Sequence, residues 1–546
     1  MEEKNRTMIE EGRRVLERLQ SRQHEAYFVG GFVRDFVLER PVKDVDIATS
    51  AKPQEVMEAF SKTVPTGLQH GTVTVLTGAY SFEVTTFRKE TEYEGFRRPA
   101  EVEYITDLEE DLKRRDFTMN AMAMDAEGNL IDPFGGRSDM DRGVLRCVGE
   151  AAERFGEDAL RMLRCIRFAA EYGLDIEEAT WQALLRQAPL LRHIAMERVR
   201  AELQRMVGGA DPARAAGLLL ASGLWRHAKT PLALPFAAWG HPHAQAVIAH
   251  LSSIPAEEDR WAVLLLLIGS QQFEAVRAEL RALTFPGEDI ARLTRILAVH
   301  AYLQRGDAED AGLRPRPEAQ SSAEERAAAR FKLAVLAHGK EAARGWLRAA
   351  GLLRAAWRQR QDGAGAASPA GTGRFGQDGT LPGNSAQSGL AMTQGESDCL
   401  EASRAGAELS EQDASPSVKH AQPSQAVPRL ASARYEASGD LPTDADMHTA
   451  AGEACLEELF RFMTEEADVY LENGEPWIRM MPVYSVKDLA VGGSDLMVQS
   501  GQKAGPWIGE TLNRLLERVA LGQLENTLEI LMTEAFRLQK CEMNDS

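Results

Sequence analysis

The chain has 546 residues with a formal net charge of −19 at pH 7, and 44% of its residues are hydrophobic. This length predicts several domains, and no apolar run approaches the roughly 20 residues of a membrane-spanning helix. The five cysteines form no C-x-x-C pair, which excludes a zinc site of that type and favours reduced thiols in a cytoplasm.

The first informative stretch, residues 27–50, has the order strand, glycine turn, helix and strand. Its apolar first strand ends on Gly30 and Gly31, and the backbone N–H groups of a glycine turn that opens a helix bind phosphate. Arg34 follows one helical turn later and can add a charged fork. The stretch matches neither the dinucleotide-binding motif nor the P-loop motif.

The second strand of this stretch carries two acidic residues, Asp44 and Asp46, on either side of Val45. Alternation along a strand places both carboxylates on one face, where a hard divalent cation relieves their repulsion. A surface turn beside two solvated aspartates is the alternative if either motif is taken alone. A phosphate turn combined with a metal-binding pair predicts phosphoryl or nucleotidyl transfer.

Two alternating strands follow, at residues 73–77 and 82–87, and predict a hairpin. The second strand carries Glu83, which is either a third carboxylate near the aspartate pair or a solvated strand residue. The sequence RKETEYEGFRRP, residues 88–99, is charged and rich in turn formers. It predicts a mobile loop beside the site.

The segment LKRRDFTMNAMAMD, residues 112–125, combines an apolar side with polar groups. Arg115, Asp116 and Asn120 can together hold a ribose and a triphosphate. Lysine and arginine crowd into residues 88–205, and binding depends on local charge. A basic groove is therefore compatible with the acidic total.

A helix predicted over residues 157–173, EDALRMLRCIRFAAEYG, carries Asp158, Arg161, Arg164 and Arg167 at every third position. The strip drifts by roughly 60° per step, so adjacent members can touch one ligand but all four cannot. An accepting aspartate beside a donating arginine matches cytosine and adenine, and clashes with guanine and uracil. We therefore predict that this helix selects CTP and ATP, with a solvated face of ion pairs as the alternative.

The rest of the sequence predicts helices to about residue 353, then a segment at 359–453 that is rich in Gly, Ser, Ala, Pro and Gln. Because that segment has few large apolar residues and no periodicity, we expect a disordered insertion. Beyond it, a helix start carries Lys503, Gly505 and Trp507, which either contact an RNA backbone or form a plain helix cap.

These motifs resemble those of the bacterial class II tRNA nucleotidyltransferases, the CCA-adding enzymes of the DNA polymerase beta-like nucleotidyltransferase superfamily. The matching motifs are GGFVRD with DVD, RRDFTMNA, DPFGG followed by Asp139, EDALRMLRCIRFA and ERVRAEL. They cover the first 205 residues densely. The tail, VKDLAVGGSDLM with GPWIGETLNRLLERV, is similar to the C-terminal region of the shorter Gram-positive type.

The resemblance implies an α+β fold class. A small nucleotidyltransferase head with a mixed β-sheet and helices would precede an all-α neck, body and tail, with the long insertion before the tail. The expected boundaries are head 1–145, neck 146–210, body 211–358, insertion 359–453 and tail 454–546.

The resemblance also implies roles for the candidate residues. Asp44 and Asp46 would hold Mg²⁺ and carry catalysis. Triphosphate, ribose and base would be bound by a larger set: Gly30, Gly31, Arg34, Arg115, Asp116, Asn120, Asp158, Arg161, Arg164 and Arg167. The segment at residues 88–99 matches the family's flexible loop, whose presence goes with adding the terminal A.

The expected activity is addition of C, C and A to the 3′ end of tRNA, with release of pyrophosphate. We expect a monomer or homodimer in the cytoplasm that binds tRNA, CTP and ATP and no membrane. The alternatives are a bacterial poly(A) polymerase, an enzyme that adds only CC or only A, and a non-catalytic tRNA-binding protein. The tail argues against the first, the loop against a CC-only enzyme, and the intact aspartate pair against the last.

Overall fold

The computed structural model describes residues 2–94, 98–230, 242–267, 273–304, 322–364 and 456–545. Within these ranges, every helix is too short or too polar to cross a membrane. Most of the predicted insertion at 359–453 lies outside the described residues. Its first part, residues 359–364, continues the last helix of the body.

The head alternates helices with short strands. Its helices are α1 (Glu2–Gln20), α2 (Gly31–Val37), α3 (Pro53–Ala59), α4 (Leu108–Lys113) and α5 (Gly136–Asp141). The strands of its main sheet are β1 (Ala26–Val29), β2 (Asp46–Thr49), β3 (Thr63–Gly67), β4 (Thr72–Thr77), β5 (Tyr80–Thr86), β8 (Ala123–Met124) and β9 (Leu130–Ile131). Two further strands, β6 (Arg88–Glu94) and β7 (Arg98–Tyr104), pair with each other.

The main sheet has seven strands in the order β3-β4-β5-β2-β1-β8-β9. Strands β2 and β5 run parallel, and the other neighbours are antiparallel. Alternation assigns Phe28 and Ile47 to one hydrophobic core and Val29 and Ala48 to a second core on the opposite face.

The prediction of a loop over residues 88–99 is wrong for the described part of this range. Those residues belong to the antiparallel strands β6 and β7. Arg88 pairs with Tyr104 at the base of this hairpin, and Glu94 pairs with Arg98 near its tip. Cross-strand backbone hydrogen bonds form without large apolar residues, so the charged composition concealed the strands.

The neck contains α6 (Ala151–Glu157), α7 (Leu160–Tyr172), α8 (Glu178–Gln187) and α9 (Met196–Gly208). The short strands β10 (Val144–Leu145) and β11 (Asp175–Ile176) pair in parallel and connect head to neck. The single helix predicted over residues 157–173 is in fact two. The chain is extended at Asp158, whose carboxylate accepts a hydrogen bond of 3.1 Å from the Leu160 N–H and so caps α7.

The remaining described chain is helical. The body contains α10 (Pro212–Ser222), α11 (Pro242–Ile248), α12 (Glu257–Leu266), α13 (Phe273–Ala282), α14 (Gly287–Gln304), α15 (Ala323–His338) and α16 (Lys340–Ala364). The tail contains α17 (residues 456–465), α18 (Ala467–Met480), α19 (Gly493–Ser500), α20 (Pro506–Ala520) and α21 (Leu528–Asp545). The α+β class, with a mixed-sheet head and a helical remainder, is confirmed. The domain boundaries stay predictions.

Candidate active site

The glycine turn between β1 and α2 lies against an arginine from another part of the head. Gly30 has a φ of +68°, a conformation that favours glycine, and caps α2. A side chain there would also collide with Arg115, because an added Cβ would lie 2.9 Å from Arg115 Nη1. Gly31 is the first residue of α2. The structure thus brings Gly30, Gly31 and Arg115 together.

Arg34 is buried and has defined partners. Its Nε and Nη2 donate to Asp35 Oδ1 and Oδ2 at 3.0 and 2.9 Å, and its Nη1 donates to Asn120 Oδ1 at 2.6 Å. Three N–H groups of the guanidinium are therefore used, and two remain for a ligand. Asp35 was not among the predicted site residues, although it stands next to Arg34 in the motif GGFVRD.

Asn120 and Asp116 continue this network toward the neck. Asn120 Nδ2 donates to Asp116 Oδ1 at 3.0 Å, and Arg164 on α7 forms an ion pair of 2.6 Å with Asp116 Oδ2. Burial disfavours the charged carboxylate, but Arg164 and then the Asn120 hydrogen bond outweigh it and lower the pKa of Asp116 to about 2. Asp116 is therefore ionised and fixed in orientation.

The aspartate pair lies at the start of β2. Asp44 precedes the strand and Asp46 is its first residue, so the predicted strand covers only the second carboxylate. Both side chains are exposed while Val45 is buried, as the alternation predicts. Asp46 is the register partner of Glu83 on the parallel strand β5. All three carboxylates therefore lie in one region of the head.

Crowding raises the pKa of Asp46, although the residue is exposed. The largest cause is loss of water around its carboxyl group, followed by the negative charge of Glu83, while Arg115 opposes both. Asp44, Asp46 and Glu83 make no side-chain hydrogen bond or ion pair with any other residue in the described ranges. Their oxygen atoms are available to a cation.

The donor set fits a hard divalent cation that also binds substrate. Among the described residues, no three His, Cys, Asp or Glu side chains could hold a metal ion by themselves. Mg²⁺ is commonly bound by one or two carboxylates together with substrate phosphates and water. The pair Asp44 and Asp46 matches that pattern, and Glu83 adds negative charge beside it.

Arg115 is held by an acidic residue that the sequence did not single out. Asp111 is 1% exposed and lies 3.4 Å from Arg115 Nη2 and 2.9 Å from Arg114 Nη2. Burial opposes ionisation, but the two arginines and the Arg88 backbone N–H outweigh it and lower the pKa of Asp111. The spacing of four residues between Asp111, on α4, and Arg115, just beyond the end of that helix, was an available signal.

The residues predicted to read the base have separate partners. Arg198 on α9 holds Asp158 through two contacts, of 2.7 Å to Oδ2 and 3.3 Å to Oδ1. Arg161 donates to the carbonyl oxygens of Arg154 and Arg114 at 3.0 and 2.8 Å. Asp158 and Arg161 are therefore each fixed by neighbours. Arg198 was in the motif ERVRAEL but had been given no role.

The other two arginines of the strip, Arg164 and Arg167, form ion pairs with acidic residues. Arg167 forms an ion pair of 2.6 Å with Glu202, which is 1% exposed, and its guanidinium lies 3.9 Å from the Phe168 ring centroid. Arg164 is the partner of Asp116 described above. Arg164 and Arg167 thus contact two different acidic residues, as the drift of the strip around the helix predicts.

The tail residues lie at the start of α20. Gly505 caps this helix, Lys503 is exposed, and the Trp507 Nε1 donates to the Lys503 carbonyl oxygen at 3.0 Å. This contact orders the start of the helix. It uses the carbonyl oxygen of Lys503 and not its ammonium group, which stands at the end of a flexible side chain.

Three family models match separate parts of the chain. The model described as Poly A polymerase head domain matches residues 26–146. The model described as "Probable RNA and SrmB- binding site of polymerase A" matches residues 173–231, and that of tRNA nucleotidyltransferase domain 2 matches residues 456–535.

Similar whole proteins and a similar solved structure carry one name. The CCA-adding enzyme of Geobacillus stearothermophilus is 44% identical over 295 residues, which cover 54% of this chain and 71% of that protein. The CCA-adding enzyme of Lactobacillus delbrueckii subsp. bulgaricus is 43% identical over 296 residues, which cover 54% and 73%. The crystal structure of the Bacillus stearothermophilus CCA-adding enzyme in complex with CTP matches with a TM-score of 0.62 at 29% identity, covering 98% of this chain and 99% of that one.

Proposed function

The chain belongs to the family of CCA-adding enzymes, and on this premise we propose that it adds C, C and A to the 3′ end of tRNA. The substrates are CTP and ATP, the product is pyrophosphate, and no nucleic-acid template is used. One observation carries the proposal: 44% identity over 295 residues to an enzyme of that name, spanning 71% of its length.

In this proposal the head performs the chemistry. The 3′-hydroxyl of the tRNA attacks the α-phosphate of the nucleotide, and pyrophosphate leaves. Asp44 and Asp46 hold Mg²⁺, which when bound lowers the pKa of the hydroxyl and neutralises charge on the leaving group. The exposed, unpaired carboxylates of the two residues support this role. The Glu83 carboxylate strengthens the local negative field.

The remaining head residues grip the sugar and phosphates. The Gly31 backbone N–H and the two unused N–H groups of Arg34 bind the triphosphate, together with Arg115. Gly30 shapes the turn, since its own N–H donates to the Met122 carbonyl oxygen at 3.4 Å. The close approach of Arg115 to Gly30 supports a shared ligand. Asp116, fixed in its ionised form by Arg164, lies against the ribose.

The neck selects the nucleotide. Among the described residues, Asp158 Oδ2 accepts one hydrogen bond, from Arg198, so a lone pair of this oxygen is left for the base. The carboxylate can accept the exocyclic amino group of cytosine or adenine while Arg161 donates to the adjacent ring nitrogen. Arg198 keeps Asp158 in place, and the carbonyl oxygens of Arg154 and Arg114 keep Arg161 in place.

The tail supplies contacts to the tRNA through Lys503, Gly505 and Trp507. The match of residues 456–535 to tRNA nucleotidyltransferase domain 2 supports this assignment. A tRNA substrate and two buried free thiols, Cys147 and Cys165, support a cytoplasmic location for the chain. We propose that it acts there as a monomer or a homodimer.

The second candidate function is poly(A) addition, which the match of the head to a Poly A polymerase head domain favours. One experiment separates the candidates. Transcripts of tRNA ending at the discriminator base, at C or at CC are incubated separately with labelled CTP or labelled ATP. CCA addition predicts CTP incorporation into the first two and ATP incorporation into the third alone. Repeated ATP incorporation into all three transcripts would contradict CCA addition and identify poly(A) addition as the activity.

A further inference from the structure

One face of the neck helix α7 closes a ring of polar contacts with the head. Arg164, Phe168 and Tyr172 stand four residues apart and so share this face. The Tyr172 hydroxyl donates to Asp35 Oδ1 at 2.8 Å. Together with the contacts described above, this bond completes a cycle that leaves α7 and returns to it: Tyr172, Asp35, Arg34, Asn120, Asp116 and Arg164.

The two aromatic residues of this face, Phe168 and Tyr172, both contact the Arg34 guanidinium. The Arg34 guanidinium lies 4.5 Å from the Tyr172 ring centroid and 5.5 Å from that of Phe168. A second guanidinium, that of Arg40, lies 4.4 Å from the Tyr172 ring, and Arg40 Nη1 donates to the Glu171 carbonyl oxygen at 3.2 Å. Tyr172 is thereby held by both its ring and its hydroxyl.

The hydroxyl sets the geometry of Arg34 through Asp35. Burial raises the pKa of Tyr172, so the phenol keeps its proton and donates it to the carboxylate. That donation fixes the Asp35 carboxylate, whose two oxygens receive the Arg34 Nε and Nη2. Because a bidentate fork fixes the plane of a guanidinium, the Asp35 carboxylate sets the orientation of the plane that holds the unused N–H groups of Arg34.

We propose that Tyr172 is a positioning residue that aims Arg34 at the nucleotide triphosphate, so that the helix that selects the base also holds the phosphate grip. The proposal rests on the proposed function, because it takes Arg34 as a triphosphate ligand. Tyr172 acts through Asp35 and Arg34.

The test replaces Tyr172→Phe, which removes the hydroxyl and keeps the ring. We expect the KM for CTP and for ATP to rise about tenfold, the effect of losing one hydrogen bond to a charged group, with kcat nearly unchanged. The inhibition constant of inorganic pyrophosphate should rise in parallel, since pyrophosphate uses the same grip. Preference for CTP over UTP should stay the same.

A matched control removes a similar hydroxyl elsewhere. Tyr484 donates to the Ile478 carbonyl oxygen at 2.6 Å in the tail. Tyr484→Phe should leave the KM values and the pyrophosphate inhibition constant unchanged. Thermal unfolding of both variants shows whether the loss of the hydroxyl affects the fold.

A double-mutant cycle with Arg34→Lys tests separately whether Tyr172 acts through Arg34 and whether Arg34 binds the triphosphate. If Tyr172 acts through Arg34, adding Tyr172→Phe to Arg34→Lys changes KM and pyrophosphate inhibition by less than the single substitution does. Independent, multiplying effects would overturn the role of Tyr172. Normal kinetics of Tyr172→Phe beside an impaired Arg34→Lys would overturn it as well. Normal kinetics of Arg34→Lys would overturn the triphosphate role of Arg34 itself.

Discussion

Asp46 and Glu83 are register partners on the parallel strands β2 and β5, so two carboxylates lie side by side in the head sheet. Like charges directly opposite each other in a sheet are unfavourable. Loss of water around its carboxyl group is the largest cause of the raised pKa of Asp46, and the negative charge of Glu83 adds to it. A site that maintains such a pair is suited to a bound metal ion.

Asp44→Ala should abolish incorporation of both CTP and ATP. We expect a loss of roughly 1,000-fold, since a metal ligand supplies several kcal/mol of transition-state stabilisation. Because Asp44 is exposed, the melting temperature should stay the same. Asp141→Ala, which removes an exposed aspartate from α5, is the control and should be fully active. Near-normal activity of Asp44→Ala would refute the metal assignment.

Glu83→Gln should raise the Mg²⁺ concentration required for half-maximal activity by about tenfold, because it removes a negative charge beside the metal pair. At saturating Mg²⁺ the rate should approach that of the unmodified chain. A titration of activity against Mg²⁺ measures both quantities. An unchanged titration would show Glu83 to be a solvated strand residue.

Asp158→Ala should reduce the preference for CTP over UTP by at least about tenfold, because the amino group of cytosine loses its acceptor. Arg198→Met should act in the same direction and more weakly, since it loosens Asp158 without removing it. Arg192→Met, which alters an exposed arginine of the neck, is the control. Measured misincorporation of UTP and GTP that matches the unmodified chain would contradict base selection by Asp158.

Asp116 should make stability depend on pH in the acidic range. Its pKa is about 2 in the folded chain against an ordinary value of 3.8, so its ion pair stabilises the fold above pH 3.8. That contribution, about 2 kcal/mol, should disappear as the pH falls through the folded value. The unfolding of Asp116→Asn should therefore converge with that of the unmodified chain between about pH 5 and pH 2. A constant difference across that range would contradict the lowered pKa.

Gly136 should tolerate no side chain. A Cβ there would lie 2.2 Å from the Thr118 carbonyl oxygen, a backbone atom that cannot move aside cheaply. Gly136→Ala should destabilise the head by about 3 kcal/mol or more. Gly156→Ala is the matched control, because a Cβ on that helical residue would meet nothing within 4 Å. It should stabilise the chain by about 0.5 to 1 kcal/mol, as measured by denaturant unfolding.

Local patterns predicted most of the head. Alternation identified the buried Val45 between exposed aspartates, and the glycine pair identified the turn into α2. Sequence reasoning could not foresee that Asp158 interrupts its helix, because the same carboxylate serves as a cap and as the partner of Arg198 from α9. The second contact comes from 40 residues away in sequence. The hairpin at Arg88 was missed because its charged residues carry no apolar alternation.

The partners of the arginines on α7 were also beyond what the sequence predicts. Spacing placed Arg161, Arg164 and Arg167 on one helix but gave no sign of their partners. Arg164 binds Asp116 in the head, and Arg167 binds Glu202 in the neck. Such pairings depend on how α7 packs between head and α9, which only the folded chain determines.

The most direct test of the central claim is to sequence the 3′ ends of a tRNA transcript that lacks CCA after incubation with this chain, all four nucleoside triphosphates and Mg²⁺. Our account predicts products that end in CCA and grow no further. Transcripts that stay unextended, stop at CC or end in a run of A would contradict it.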